Sequence, residues 1–292
     1  MMRHEFERRT AMWHSLLDSG GPGNVSPSLL RELGIYGGAQ GIWINKQRTS
    51  NLTDSGTGVT VGLLHTGTAY ADDLSTDGVL YHYPATNRPP GRDSSEIEAT
   101  KAAGRMGLPI FVITHSPVSS GNRDVYLGWV EDWDDTLEMF LVSFSADIQP
   151  APVITEPRED PFNLTEAREA PQRKVTTRLG QQGFRFKVFK RYGYECALCG
   201  ISVAEVLDAA HLVPDRKKGS HDPRNGIVLC AVHHRALDAG LFAIEPNSLQ
   251  ICYQASGPDA VTLRVAHQTL GHLPEKPHKE ALVWLWSKWE GQ

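Results

Sequence analysis

At 292 residues the chain exceeds what one compact core usually holds, so two modest domains are expected. Its 40% hydrophobic and 22% charged residues exclude broad disorder; the charge-mixed start, Met1 to Arg9, lacks the apolar run of a signal peptide, and no later stretch is apolar enough to cross a bilayer. A soluble, cytoplasmic protein with no membrane partner is the expectation. The formal net charge of −5 excludes a uniformly basic nucleic-acid binder but is unevenly spread: from residue 171 onward 16 Lys+Arg face 11 Asp+Glu, which leaves −10 for residues 1–170.

From the amino terminus, Phe6, Trp13, Leu16 and Leu17 recur at helical spacing, and Ser26-Pro27 is a helix start before Leu29-Leu30. Strand-like runs follow at Val59 to Leu64, Val79 to Tyr83, Ile110 to Ile113 and Met139 to Phe144. Between the second and third a helix is expected, with Ser95 and Glu98 as a capping box and Gly104 or Gly107 near its end. The pattern predicts a curved β-barrel with a few helices over residues 1–150, within an α+β protein. These residues carry no nuclease, nucleotide or protease motif.

Gly34-Ile35-Tyr36-Gly37, the run from Gly67-Thr68-Ala69-Tyr70-Ala71-Asp72-Asp73 through Asp77 to Tyr83, and Gly107-Leu108-Pro109-Ile110-Phe111 resemble the SRA domain, a PUA-like module that recognises 5-methylcytosine by flipping it out of the duplex. The resemblance implies that Tyr70 and Tyr83 stack on the extruded base and that Asp73 accepts from its exocyclic amine. Tyr81 competes with Tyr83, because both lie on one strand face. The chain departs from that family by one extra residue between Asp73 and Tyr83 and by Pro84, which removes a backbone donor near the pocket.

Residues 146–172 hold Pro150, Pro152, Pro157, Pro161 and Pro171 among acids and read as a linker, drawn at 151–172, before a second domain at 173–292. That domain opens on Arg173, Lys174, Arg178, Arg185, Lys187, Lys190 and Arg191, with no acid before Glu195. Such a stripe can neutralise DNA backbone phosphates, or it can be a solvated helix face. Four cysteines are too few for a disulfide scaffold. Three of them form matched half-sites, Cys196-Ala-Leu-Cys199 and Cys230-Ala-Val-His233, that present four ligands to one Zn²⁺. A shell of four protein ligands leaves no open position, so this zinc is expected to be structural. Cys252 is expected on a buried strand.

Between and beyond the half-sites lie Asp208-Ala209-Ala210-His211, Asn225 and His234. With the lead-in from Gln181 to Phe189 they resemble the HNH nuclease motif over about residues 178–245, which implies a ββα-metal fold and metal-dependent hydrolysis of phosphodiesters. On that resemblance His211 is the general base, Asn225 holds the loop and orients His211, and His234 holds a catalytic Mg²⁺ or Mn²⁺. Many members place Asp or His directly before the first His, where this chain has Ala210; Asp208 is the nearest carboxylate, although strand alternation points it away from the face of His211. His233 and His234 diverge by about 100° on a helix and cannot share an ion. His221 is expected to be an exposed loop histidine.

Together the two resemblances imply a bacterial modification-dependent, type IV restriction endonuclease that acts on double-stranded DNA containing 5-methylcytosine or 5-hydroxymethylcytosine, with a homodimer as the arrangement for cutting both strands. A modified-DNA reader with a degenerate nuclease site and an RNA-directed HNH nuclease are the alternatives.

Overall fold

The computed structural model describes residues 1–38, 41–65, 74–86, 91–145, 148, 161–165 and 180–290. The chain divides into two units, Met1–Arg158 and Glu159–Gln292.

In the first unit the elements run α1 (Met2–Asp18), α2 (Pro27–Glu32), β1 (Ile42–Ile44), α3 (Lys46–Thr49), β2 (Thr60–Leu64), β3 (Gly78–His82), α4 (Arg92–Arg105), β4 (Ile110–His115), β5 (Arg123–Asp134) and β6 (Met139–Phe144). The strands form one sheet in the order β1-β2-β4-β5-β6-β3, with β2 and β4 parallel and the other neighbours antiparallel. Among the described residues no ladder joins β1 to β3, so the expected barrel is here a six-stranded mixed sheet with helices. Both faces are covered, which is why β4 reads as an unbroken apolar run. Ile110 and Val112 enter a core with Ala102 and Ala103 of α4, while Phe111 and Ile113 enter a second core with Trp13 and Leu16 of α1 and Leu30 of α2.

Local chemistry sets the helix ends. Ser26 caps α2 by accepting from Leu29 N at 3.3 Å. α4 begins earlier than the expected capping box at Ser95: its N-cap is Gly91, and Ser95 lies in the first turn with Oγ donating to Gly91 O at 2.7 Å. It stops at Gly107, whose φ of +59° lets Leu108 N reach back to Ala103 O at 3.0 Å. The buried stripe of α1 contains an ion pair that apolar periodicity does not reveal. Arg9 is fully buried, bonds Glu5 at 2.8 Å, and donates from Nη1 to Thr60 O and Pro109 O, both at 2.7 Å. It thereby satisfies carbonyls where the parallel strands β2 and β4 begin.

The second unit contains α5 (Gly180–Tyr192), β7 (Leu207–His211), β8 (Gly226–Cys230), α6 (Ala231–Asp238), the hairpin β9 (Phe242–Ile244) and β10 (Ile251–Tyr253), and α7 (Lys279–Trp289). β7 and β8 are antiparallel and in regular register from Leu207 opposite Cys230 to His211 opposite Gly226. Cys252 lies on β10 but is half-buried. Residues 161–165, within the expected linker, pack inside this unit: Phe162 stacks on His278 at 3.7 Å, and Thr165 bridges Gly219.

Candidate nuclease site

Two histidine-bearing sites flank the β7–β8 ribbon. The first is closed. Cys196 N donates to Ile201 O at 2.8 Å and Gly200 N to Cys196 O at 3.0 Å, a turn that Gly200 permits with φ of +74°. The turn brings the Cys196 and Cys199 thiols beside Cys230, the N-cap of α6, and His233 in its first turn. The Sγ atoms of Cys196 and Cys230 lie 3.4 and 3.2 Å from His233 Nδ1, and those of Cys199 and Cys230 are 3.9 Å apart. Tetrahedral zinc would set about 3.6 Å between sulfur and nitrogen and about 3.8 Å between two sulfurs. The four residues are therefore positioned to bind one metal ion. His233 Nε2 donates to Leu263 O at 2.9 Å, which fixes the tautomer that leaves Nδ1 bare toward the thiols. Burial, with the neighbouring Cys196 and Cys230, pushes the Cys199 thiol up to about 12. Thiolates at this spacing need a cation among them, so the donor chemistry fits zinc.

The second site is open. Asp208 Oδ2 lies 3.1 Å from His234 Nδ1, and His234 Nε2 lies 3.9 Å from Asp238 Oδ2. Two ligands at right angles about an ion with bonds of about 2.1 Å are about 3.0 Å apart, so Asp208 and His234 fit as neighbouring ligands of a divalent cation that keeps positions for water and substrate. Strand alternation sends Asp208 to the side opposite His211, and no bulge intervenes; α6 brings His234 to the carboxylate instead. Ala210, directly before His211, is fully buried, and a charged group there would enter the core. Arg185 reaches the edge of this site, with Nη1 3.8 Å from Asp208 Oδ1 and donating to Leu207 O at 3.0 Å.

His211 ends β7. Its ring stacks on Phe184 of α5 at 3.7 Å and an interplanar angle of 12°. That approach requires glycine across the ladder: a Cβ on Gly226 would stand 2.6 Å from Phe184 Cζ and from Val188 Cγ2. Burial, assisted by His221 and His234 and opposed by Asp215, pulls His211 down to about 4, so its imidazole is neutral at pH 7.

Asn225 is fully buried and binds the loop rather than His211. Its Oδ1 accepts from Val213 N at 2.9 Å, and its Nδ2 donates to Val213 O at 3.1 Å and Ser220 O at 2.8 Å. The amide thus closes the loop that leaves β7, and its effect on His211 passes through that loop. His221 differs from the exposed residue expected: its side chain is 17% exposed, Nε2 lies 3.4 Å from Asp215 Oδ1, and its ring meets that of His211 edge-on at 5.6 Å. No spacing signal in the sequence announced it.

Of the basic stripe, Arg173, Lys174 and Arg178 lie outside the described residues. Lys190 is exposed, Lys187 is half-buried, and Arg191 pairs with Glu275 at 3.2 Å. Of the base-pocket residues, Tyr70 and Asp73 also lie outside the described residues. Tyr81 belongs to the core, with its hydroxyl on Leu64 O at 3.3 Å. Tyr83 is half-buried; its ring lies 4.5 Å from that of Phe140, and its hydroxyl donates to Asp135 at 2.9 Å.

Residues 196–245 match a family model described as HNH endonuclease, and the second unit therefore carries the domain of a metal-dependent nuclease. The match does not extend to the first unit. No curated protein matches the chain. A solved structure described as "Modification dependent TagI restriction endonuclease" is similar at 18% identity over 92% of this chain and 93% of its own, with a TM-score of 0.36. No helix among the described residues is long and apolar enough to cross a membrane.

Proposed function

We propose that this chain, whose second unit carries an HNH endonuclease domain, is a bacterial type IV restriction endonuclease that cuts double-stranded DNA containing 5-methylcytosine or 5-hydroxymethylcytosine. The observation that carries the nuclease half is a neutral, half-buried His211 on the strand whose Asp208 pairs with His234. A phosphodiester resists attack because its anionic oxygens repel nucleophiles, so hydrolysis needs an activated water and a cation near the developing charge. His211 takes the proton from a water molecule, and the resulting hydroxide attacks phosphorus as the P–O3′ bond breaks; the departing O3′ takes a proton from solvent, which leaves a 5′-phosphate and a 3′-hydroxyl. An Mg²⁺ or Mn²⁺ ion held by Asp208 and His234 would supply positive charge at the departing oxygen. Arg185, at the rim of that pair, suits a phosphate oxygen by charge and by its forked donors.

Recognition is assigned to the first unit through its SRA-like residues Tyr70, Asp73 and Tyr83, around a cytosine rotated out of the duplex. In favour of Tyr83 over Tyr81 is burial: the Tyr81 ring is committed to the core, whereas that of Tyr83 keeps an accessible part. A homodimer would supply one nuclease site per strand. The experiment is direct: incubate the full-length protein and Mn²⁺ or Mg²⁺ with unmodified, methylated and hydroxymethylated plasmids of one sequence. Cleavage confined to a modified plasmid is the expected result. Equal cleavage of all three would remove the recognition half, and no cleavage of any would remove the nuclease half.

A further inference from the structure

We propose that Asp215 and His221 belong to the nuclease centre as positioning residues, which hold the His211 imidazole in the orientation that presents one nitrogen to the attacking water. The inference rests on the reading of His211 as the general base.

The need for such residues is visible at His211 itself. Its Nε2 is buried and makes no hydrogen bond among the described residues. A ring that serves as a base is ordinarily oriented by a partner on its second nitrogen. Here orientation comes from packing. Phe184 lies flat on one face at 3.7 Å, and His221 meets the ring edge-on at 5.6 Å with 60° between planes. Phe184 and His221 are themselves 6.0 Å apart, so the three rings form a closed cluster.

Asp215 lies beside His221, with Oδ1 3.4 Å from its Nε2, and the same loop carries both side chains. The Asn225 amide grips the loop at Val213 and Ser220, two residues before Asp215 and one before His221. One buried side chain therefore delivers both members of the pair to His211.

Electrostatics point the same way. The charged and titratable groups acting on His211 are His221, Asp215 and, from α6, His234, while Arg185 on α5 is turned to Asp208. His221 disfavours a proton on His211, as burial does, and Asp215 opposes it. Removing His221 withdraws a neighbour that disfavours a proton on His211 and admits water, and both changes raise the His211 pKa.

The test uses the full-length, zinc-loaded chain and His221→Ala, His221→Gln and Asp215→Asn. Two readouts are taken. The first is the His211 titration midpoint by NMR, which needs no substrate. The second is the single-turnover rate of Mn²⁺-supported cleavage of methylated plasmid across pH. His221→Ala should raise the midpoint by about one unit or more. It should also slow cleavage at pH 7 by about tenfold to hundredfold, with DNA binding unchanged. His221→Gln, which restores bulk and a hydrogen-bonding head but no charge, should recover most of the rate while the midpoint stays raised. Asp215→Asn should fall between wild type and His221→Ala in rate.

A midpoint and rate in His221→Ala indistinguishable from wild type would overturn the proposal. Should that variant fail to fold, an unshifted midpoint in His221→Gln overturns it equally. His211→Ala separates the two readings: if it cleaves normally, the general-base assignment falls. If it is inactive while the His221 variants behave as wild type, only the positioning role falls.

Discussion

Replacing Asn225 with alanine would leave the N–H and C=O of Val213 and the C=O of Ser220 without their side-chain partners at a position with no solvent exposure. Each orphaned buried group costs about 1–3 kcal/mol. Relaxation of the loop returns part of the sum, and a net loss of about 3–5 kcal/mol is expected. For a domain of this size that corresponds to a fall of about 10–20 °C in the melting transition. Asn225→Asp makes the reasoning sharper. One carboxylate oxygen keeps the bond from Val213 N–H, but the other faces two carbonyl oxygens in place of an amide donor. It should therefore be at least as destabilising as alanine. The assay is thermal unfolding of the full chain, following the transition that also moves when metal is chelated, since that transition belongs to the second unit. Plasmid cleavage is measured well below it. Cleavage should drop in both variants even where the unit is folded, because Asp215 and His221 ride on the released loop. A melting shift below about 4 °C with cleavage retained would show that the backbone bond from Leu212 N to Asn225 O and the Thr165–Gly219 bridge hold the loop unaided.

Cys196→Ser or Cys230→Ser should lower bound zinc and stability together, since a structural ion contributes directly to folding; elemental analysis showing no zinc in the parent, with an unchanged melting temperature in the variants, would refute the closed site. Acid should weaken the second unit through His211. Its folded pKa is about 4 against 6.5 unexposed to the fold, so the unfolded chain binds the proton first. That contribution is intact above the unfolded value and is lost as pH falls from 6.5 toward 4, amounting to about 2 kcal/mol at pH 5. Denaturant titrations at pH 7 and pH 5 should show this loss in the parent and not in His211→Gln; equal losses in both would reject a buried neutral imidazole. Tyr70→Ala should remove a stacking surface worth about 1–3 kcal/mol and weaken binding of methylated duplex roughly tenfold to hundredfold. Affinity for the unmethylated duplex should hardly change, and equal weakening of both would reject a base-stacking role.

The parts of the nuclease site that were legible in sequence are those set by local spacing. Two Cys-x-x-Cys/His turns can present ligands to one ion whatever the rest of the chain does, and adjacent helical histidines must diverge. What escaped depends on non-local geometry. Asp208 and His211 occupy alternate positions of β7, and only the placement of α6 shows that the carboxylate meets His234. The Phe184 stack exists because Gly226 opens a space across the ladder, and the approach of His221 exists because Asn225 folds a loop back on itself. In the first unit β5 was not anticipated, although it is the longest strand. Its Asp124, Glu131, Asp132 and Asp134 interrupt the apolar pattern, while both its neighbours, β4 and β6, were plain in the sequence. In α1 the apolar spacing of Trp13 and Leu16 was readable, whereas the ion pair of Glu5 and Arg9 buried in the same stripe was not.

The consecutive histidines of α6 link the closed and the open site mechanically. His233 is fixed at both ring nitrogens, by the thiol cluster on one side and Leu263 O on the other, so it pins the first turn of the helix. His234 is the next residue, and its approach to Asp208 follows from where that turn is held. Cys230, the helix N-cap, is also the last residue of β8, and across the ladder it faces Leu207, the neighbour of Asp208. The closed cluster thus sets the strand that carries the carboxylate and the helix that carries the imidazole from one anchor. Tenths of an ångström would matter if Asp208 and His234 share one ion, as proposed, and a frayed first turn of α6 would lose that tolerance before the unit as a whole unfolds. Graded removal of the structural metal should therefore extinguish cleavage at a lower chelator concentration than it melts the β7–β8 ribbon. Hydrogen exchange of the Ile227 to Leu229 amides, followed beside plasmid cleavage, measures both. Simultaneous loss would mean that the cluster holds up the fold without tuning the site.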